Sequence, residues 1–487
     1  MNNSISVEPL VDITPDVRLL RVLRNSGFNN MTAMGELLDN AVDAGAKYID
    51  VYVQEQGNGK RMVTTVDNGK GMSESVLQYA LTLAKELKVG IDQLGKFGMG
   101  MKVASLSMTT QIEIFTKVRH GNVLYGEFNI NKIEAAGSFK TTVRKASKEE
   151  EEYFYSKLGK SHSGTVIILK NCDRINVKAE TLANQLEEYI GRTYRVFINR
   201  GIVFTISNSH NRGREIKSID PLMREHQDTI VFLERETFPI DYPISEGHVK
   251  TTFIEVSAVV LPKPDNKGRF VGGVKVPLTI NPANQGLYFL REGREVASAM
   301  TWIPVTGERH PSMNRFRLEI VVKSDLDDEV NMDFQKGNVY PKAGLKQQLG
   351  EIIKYGILKN MKAFLEAEEN KKGKLKDANF KKASSDKDIG TEEKKTINNL
   401  EVNGLDESLT IKPSTLDNIK TNVKKEQHSL TNPGNTVGMN LDRNDKKVEN
   451  DLDKGNIIAT AWKIREVLSN PDTPVNIKKE ILEILSL

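Results

Sequence analysis

The 487-residue sequence holds a single cysteine, Cys172, so neither an intramolecular disulfide nor a cysteine-rich zinc site can be built from it. It has no run of about 18 apolar residues, and its mean hydropathy is −0.42, so no membrane span is expected. The opening segment MNNSISVEPL lacks the apolar stretch of a secretory signal, which points to a cytoplasmic, nucleoid-associated or nuclear protein. Excess charge of one sign is missing as well. With 69 basic and 65 acidic side chains the net charge is +4, which neither demands nor forbids a nucleic-acid partner. Nowhere does a G-x-x-x-x-G-K-[ST] loop occur, nor the H-R-D and D-F-G triplets, which excludes P-loop and protein-kinase chemistry. Internal repeats and long heptad runs are absent too.

What remains is long enough for two or three domains. From Val7 to about Leu365, helical apolar spacing alternates with β-branched runs at Lys47 to Gln54, Arg61 to Asp67, Gln111 to Lys117 and Gly164 to Lys170, an α+β pattern. The polar change after "TVIILK" puts a boundary near Cys172, giving a first domain over 1–172 and a second over 173–365. Residues 366–455 are Lys-, Asp-, Asn- and Ser-rich with few apolar groups, and are expected to be a disordered polar linker. Residues 456–487 regain helical spacing in two short amphipathic stretches. They form either a docking module for a protein partner at the end of a tether or a hairpin folded back on the body.

Three segments carry candidate chemistry. In "MTAMGELLDNAVDAGA", Met34, Leu37, Leu38 and Ala41 make one core stripe, and Glu36, Asn40 and Asp43 share another face. A carboxylate that can deprotonate water then stands one turn from an amide oxygen suited to Mg²⁺. The alternative is a solvated polar face. In "VDNGKGM", Asp67 ends a β-branched run and Gly69, Gly71 and Met72 follow. This is either a simple turn or a carboxylate placed to accept a hydrogen bond from an exocyclic amine, with glycines that let a base approach the backbone. In "GKFGMGMK", Gly95, Lys96, Phe97, Gly98, Met99, Gly100, Met101 and Lys102 lead into a helix, an arrangement that offers backbone N–H groups to a polyphosphate. Gly164-Thr165 opens the strand "GTVIILK" and is uninformative by itself.

In this order, the four pieces resemble the GHKL ATPase superfamily of gyrase B, the large heat-shock chaperone, histidine kinases and MutL. The resemblance implies a Bergerat fold: an α/β sandwich of a mixed sheet covered on one face by helices, binding ATP with Mg²⁺. It implies Glu36 as general base, Asn40 as Mg²⁺ ligand and Asp67 as the adenine-selecting carboxylate, with Gly71 and Thr165 completing the adenine side. Gly95, Gly98, Gly100 and Lys102 would be phosphate-binding lid positions, with Lys85 and Lys88 as neighbours of ambiguous alignment. "GIVFTISN", "REIKSIDP", "GLYFLREGREV" and "DEVNMDFQKGNVYP" resemble the transducer domain of MORC and MutL proteins. That likeness places Lys336 where a lysine reaches the γ-phosphate, although Phe334 replaces a proline of the MutL pattern.

The implied activity is ATP hydrolysis driving a clamp that homodimerises through residues before Met31 and acts on DNA or a DNA-bound partner in genome maintenance or defence. The segments "RTYRVFINR" and "NKKGKLK" are either phosphate contacts for DNA or simply solvated charge. A chaperone-like ATPase that remodels protein clients is the other reading. The likeness covers residues 15 to 355, and the tail has no MutL endonuclease motif.

Overall fold

The computed structural model describes residues 15–83, 100–159, 161–208, 213–245, 248–301, 308–333 and 335–368. The linker and terminal helices expected beyond 368, and the lid residues Lys85, Lys88, Gly95, Lys96, Phe97, Gly98 and Met99, lie outside these.

The first unit opens with α1 (Leu19–Leu23) and α2 (Asn30–Asp43). Local chemistry sets the start of α2: Asn29 Oδ1 accepts the Met31 and Thr32 amides at 2.9 Å, and Thr32 Oγ1 accepts the Asn29 amide. The chain continues through β1 (Tyr48–Gln56), β2 (Lys60–Asp67), α3 (Glu74–Leu81), α4 (Gly100–Met108), β3 (Gln111–Lys117), β4 (Leu124–Asn129), α5 (Ile130–Ala136), β5 (Val143–Lys145), α6 (Lys148–Leu158) and β6 (Gly164–Cys172). It then adds α7 (Ala179–Thr193), α8 (Arg195–Asn199), β7 (Val203–Asn208) and β8 (Arg214–Glu215).

These strands form one mixed sheet in the order β5-β4-β3-β6-β2-β1-β7-β8, with only β1 and β7 parallel. Alternation along each strand sends Val51, Val63, Ile114, Leu169 and Phe204 to the face covered by α2, α4, α5 and α7, where Leu37, Leu38, Leu106, Ile133 and Leu186 meet them. On the opposite face Val66, Phe115, Val166 and Ile168 pack with Phe154 of α6. The mixed sheet with its main helical layer is the expected α+β sandwich, and α6 is an addition on the second face.

The boundary expected near Cys172 is displaced. β7 pairs in parallel with β1, Tyr48 opposite Val203 through Val53 opposite Asn208, and α7 buries Leu182, Ala183, Leu186 and Ile190 in the first core. Without them β1 would be an open edge and α2 would lose one of its helical neighbours. "GIVFTISN" therefore completes the first sheet and does not open the second unit, and the first core extends to Ile216.

The second unit comprises β9 (Ile230–Ser245), β10 (His248–Val260), the small hairpin β11 (Phe270–Val271) and β12 (Val274–Lys275), then β13 (Gly286–Arg291), β14 (Arg294–Met300), β15 (Phe316–Val322), α9 (Asp327–Val330) and α10 (Ala343–Glu351). Its sheet runs β14-β13-β15-β10-β9, with β13 parallel to β15. Phe316, Leu318, Ile320 and Val322 face the helical layer of Leu345, Leu349, Ile353 and Met361. By alternation Arg317 and Glu319 point the other way, toward the first unit.

There Arg195 of α8 bridges Glu295 at 2.6 Å and Glu319 at 2.5 Å, and Arg192 reaches Glu295 at 2.7 Å. Two arginines of "RTYRVFINR", read from the sequence as phosphate contacts, are thus committed to carboxylates between the two sheets. Of that segment's cations only Arg200 is exposed.

Candidate functional site

The site is assembled where the carboxyl-terminal half of α2 meets the end of β2. Asn68 Oδ1 accepts the Lys47 and Tyr48 amides, Lys70 N–H donates to Ala44 O, and Ser163 Oγ donates to Gly69 O. These bonds bind the "DNGKG" segment to the end of α2 and lead it to α3, so it is not a hairpin turn. Gly71 takes φ +67°, and a Cβ there would lie 2.0 Å from Lys117 O, so no other residue fits that close approach.

Asp67 is buried, its Oδ1 accepts the Gly69 amide at 2.9 Å, and no donor meets Oδ2 among the described residues. Burial pushes its carboxyl up to about 7 against the single Gly69 bond. Thr165 sits opposite Asp67 in the β2–β6 register and is buried. Between them and Met72 stands Thr116, which the sequence reading did not single out. Its Oγ1 accepts the Met72 amide at 2.8 Å, donates to Gly164 O at 3.1 Å, and lies 3.2 Å from Thr165 Oγ1.

Across α2, Glu36 is buried and meets Lys336 from the second unit, with Lys336 Nζ 2.7 Å from Glu36 Oε1 and 2.6 Å from Asp39 Oδ2. Lys336 occupies a left-handed turn, φ +50°, and is itself buried, so it is not a surface lysine. The β13–β14 turn, Glu292-Gly293 with both φ positive, delivers Arg294, whose Nε lies 2.6 Å from Asp39 Oδ1. Tyr194 OH lies 2.7 Å from Asp39 Oδ1 and 2.9 Å from Gly35 O, with its one proton directed to these two acceptors.

Two carboxylates and two cations thus balance inside a buried junction. Burial raises the Glu36 carboxyl, and Asp39 adds to the rise against the pull of Lys336 and Arg294. For Asp39 burial also pushes upward, but Arg294 and Lys336 outweigh it and hold the carboxyl below its ordinary range. Lys336 is held protonated: burial works against its charge, and Asp39 and Glu36 override it.

Asp39 is the residue that sequence reasoning missed. It shares the polar face of Glu36 and Asp43, but nothing local reveals that three side chains from distant segments enclose it.

Asn40 is exposed one turn beyond Glu36, with no side-chain hydrogen bond among the described residues. Its amide oxygen is a hard donor free to take part of a Mg²⁺ shell. No group of three or more His, Cys, Asp or Glu suited to a metal occurs among the described residues. Asp43, the last residue of α2, is half-buried.

Gly100, at the start of α4, abuts Glu36: a Cβ there would lie 1.8 Å from Glu36 Oε2. Met101 packs against the first core. Lys102, expected at the phosphates, is buried and donates to Thr82 O at 2.6 Å and Tyr79 O at 3.4 Å, carbonyls at the end of α3. Burial lowers its ammonium to about 8. In this arrangement Lys102 joins α4 to the end of α3, away from Glu36.

Over residues 28–165 the chain matches the family described as histidine kinase-, DNA gyrase B-, and HSP90-like ATPase. It is 25% identical over 257 residues to the DNA mismatch repair protein MutL of Phocaeicola vulgatus, covering 50% of this chain and 38% of that protein. It is 29% identical over 93 residues to Protein MICRORCHIDIA 4 of Arabidopsis thaliana, covering 18% and 12%. With ATPase MORC2 of Homo sapiens it shares 35% identity over 89 residues, covering 18% and 9%. The matched stretches span less than half of each of these relatives. A solved structure titled as the N-terminal domain of a DNA repair protein aligns with TM-score 0.42 and 14% identity over 72% of this chain and 98% of that one. Residues 28–165 are therefore a GHKL ATPase domain, and the chain's sequence relatives include the MORC and MutL proteins.

Proposed function

We propose that the chain binds and hydrolyses Mg²⁺·ATP and uses the terminal phosphate to switch the relation between its two sheets. The observation that carries this reading is the burial of Lys336, from the second unit, against Glu36 of the first.

Asp67 presents its open Oδ2 to the exocyclic amine of adenine, and the close backbone at Gly69 and Gly71 admits the base edge. Glu36, freed from Lys336, takes a proton from the attacking water, a general-base role favoured by its raised affinity for protons. The Asn40 amide oxygen contributes to Mg²⁺, which when bound neutralises phosphate charge. Lys336 exchanges a carboxylate partner for phosphate only when the terminal phosphate is present, so nucleotide state is read by the second sheet.

Dimerisation through the segment before Met31 and action on DNA extend this reading. They are supported by relatives named as a DNA mismatch repair protein and as MORC ATPases. On this chain the exposed cations Lys267, Arg269 and Lys275 flank the exposed Phe270 and Val274 of β11–β12 and supply a basic edge. Size-exclusion chromatography with a non-hydrolysable ATP analogue, with and without duplex DNA, tests the assembly. A shift to dimer with analogue and a further shift with DNA support it, and a monomer under every condition removes the clamp.

A further inference from the structure

We propose that Asp39 is a positioning residue for Lys336, keeping the lysine at the site while Glu36 gives up its ion pair to act as base. The proposal rests on the roles of Glu36 and Lys336 given above.

The lysine ammonium is shared almost equally, 2.7 Å from Glu36 Oε1 and 2.6 Å from Asp39 Oδ2. The two carboxylates are not equivalent. Glu36 retains slight exposure and faces Gly100, whereas Asp39 has none. Asp39 cannot reach water and is therefore not itself a base. Its other oxygen is fixed twice, by Arg294 Nε at 2.6 Å and by Tyr194 OH at 2.7 Å.

Arg294 also donates through Nη1 to Lys336 O at 3.3 Å, so one guanidinium holds both the aspartate and the backbone of the lysine. The charged and titratable groups acting on Glu36 are Lys336, Asp39, Arg294 and Tyr189. Were Glu36 the only carboxylate, the buried ammonium would have no counter-ion from the chain between leaving Glu36 and meeting the terminal phosphate, an unfavourable state for a buried charge. With Asp39 present, that ammonium keeps a partner throughout, and Glu36 can turn to water.

The test uses the full chain as wild type, Asp39→Asn, Lys336→Gln and the double variant, reading kcat and KM for ATP and equilibrium binding of a non-hydrolysable analogue. Expected for Asp39→Asn is analogue affinity within about threefold of wild type and a kcat about 10- to 100-fold lower, with no further loss in the Lys336→Gln background. Losses that multiply in the double variant, or that fall on affinity and KM, make Asp39 merely structural and overturn the proposal. If Asp39→Asn does not fold, Asp39→Asn combined with Arg294→Gln removes one charge of each sign. A wild-type kcat in that variant overturns the proposal equally, and a loss dependent on Lys336 supports it. A wild-type chain that neither binds the analogue nor hydrolyses ATP defeats the ATPase reading as well; wild-type turnover matched by Asp39→Asn defeats only the role of Asp39.

Discussion

The ammonium of Lys336 lies 2.7 Å from the carboxylate of Glu36, with both side chains buried. One belongs to a left-handed turn after the second sheet and the other to the second helix of the first unit. Burying such a pair is costly unless its partners are complete, and Asp39 and Arg294 complete it. The candidate base is therefore held by an ion pair through its Oε1.

Lys336→Ala leaves Glu36 and Asp39 with Arg294 as their only cation among the described residues. It is expected to lower stability by about 3–5 kcal/mol, the usual cost of removing one partner of a buried pair. Urea unfolding of the variant measures this, and an unchanged midpoint would show that the lysine is not buried as described. Turnover of ATP should fall in the same variant.

Asp67 carries a pH prediction. Its folded carboxyl is raised to about 7 from 3.8, so the folded chain keeps a proton that the unfolded chain releases. Its contribution to stability is complete below the unfolded value and is lost as pH rises through the window up to about 7. Asp67→Asn should flatten that slope. Because the adenine amine needs the ionised carboxylate, ATP affinity should rise as pH increases through 7, weakening by about tenfold per unit below it. Calorimetric titration across this range checks both, and pH-independent affinity would count against Asp67 as the adenine contact.

Arg195 joins Glu295 and Glu319 between the sheets. Arg195→Met should destabilise the chain by about 3–5 kcal/mol by stranding buried carboxylates. A variant as stable as wild type but weaker on DNA would restore the nucleic-acid role read from the sequence.

Lys267, Arg269 and Lys275 are exposed beside the β11–β12 hairpin. Replacing all three with alanine should weaken DNA binding and reduce the slope of log K against log salt by up to about 0.9 for each phosphate that is no longer neutralised. Fluorescence anisotropy at several salt concentrations would reveal it, and an unaltered slope moves the DNA surface elsewhere.

Much of this was legible locally. The run Gln111 to Lys117 is a strand with those bounds, and the stripe Met34, Leu37, Leu38 and Ala41 is buried as its spacing requires. Short motifs set Asp67 at the end of β2 and Gly71 just after it, with Thr165 opposite Asp67 across β2–β6. What was not legible is non-local. The parallel pairing of β7 with β1 moved the end of the first unit past Cys172, since no periodicity announces which strand a run will join. Asp39 was not singled out from the sequence, because Tyr194, Arg294 and Lys336, which close over it, lie far along the chain. Arg192 and Arg195 looked like a basic patch because their carboxylate partners lie far along the chain. Lys102 follows the glycine-rich lid segment, yet its ammonium turns to the end of α3, where Thr82 O accepts it.

The most direct test is the Glu36→Ala variant, assayed for ATP binding and for phosphate release with and without Mg²⁺. Mg²⁺-dependent release by the wild type is expected, together with retained ATP binding and release slowed roughly 10²- to 10⁴-fold in the variant. Undiminished release in Glu36→Ala, or a wild type that does not bind ATP, would contradict it.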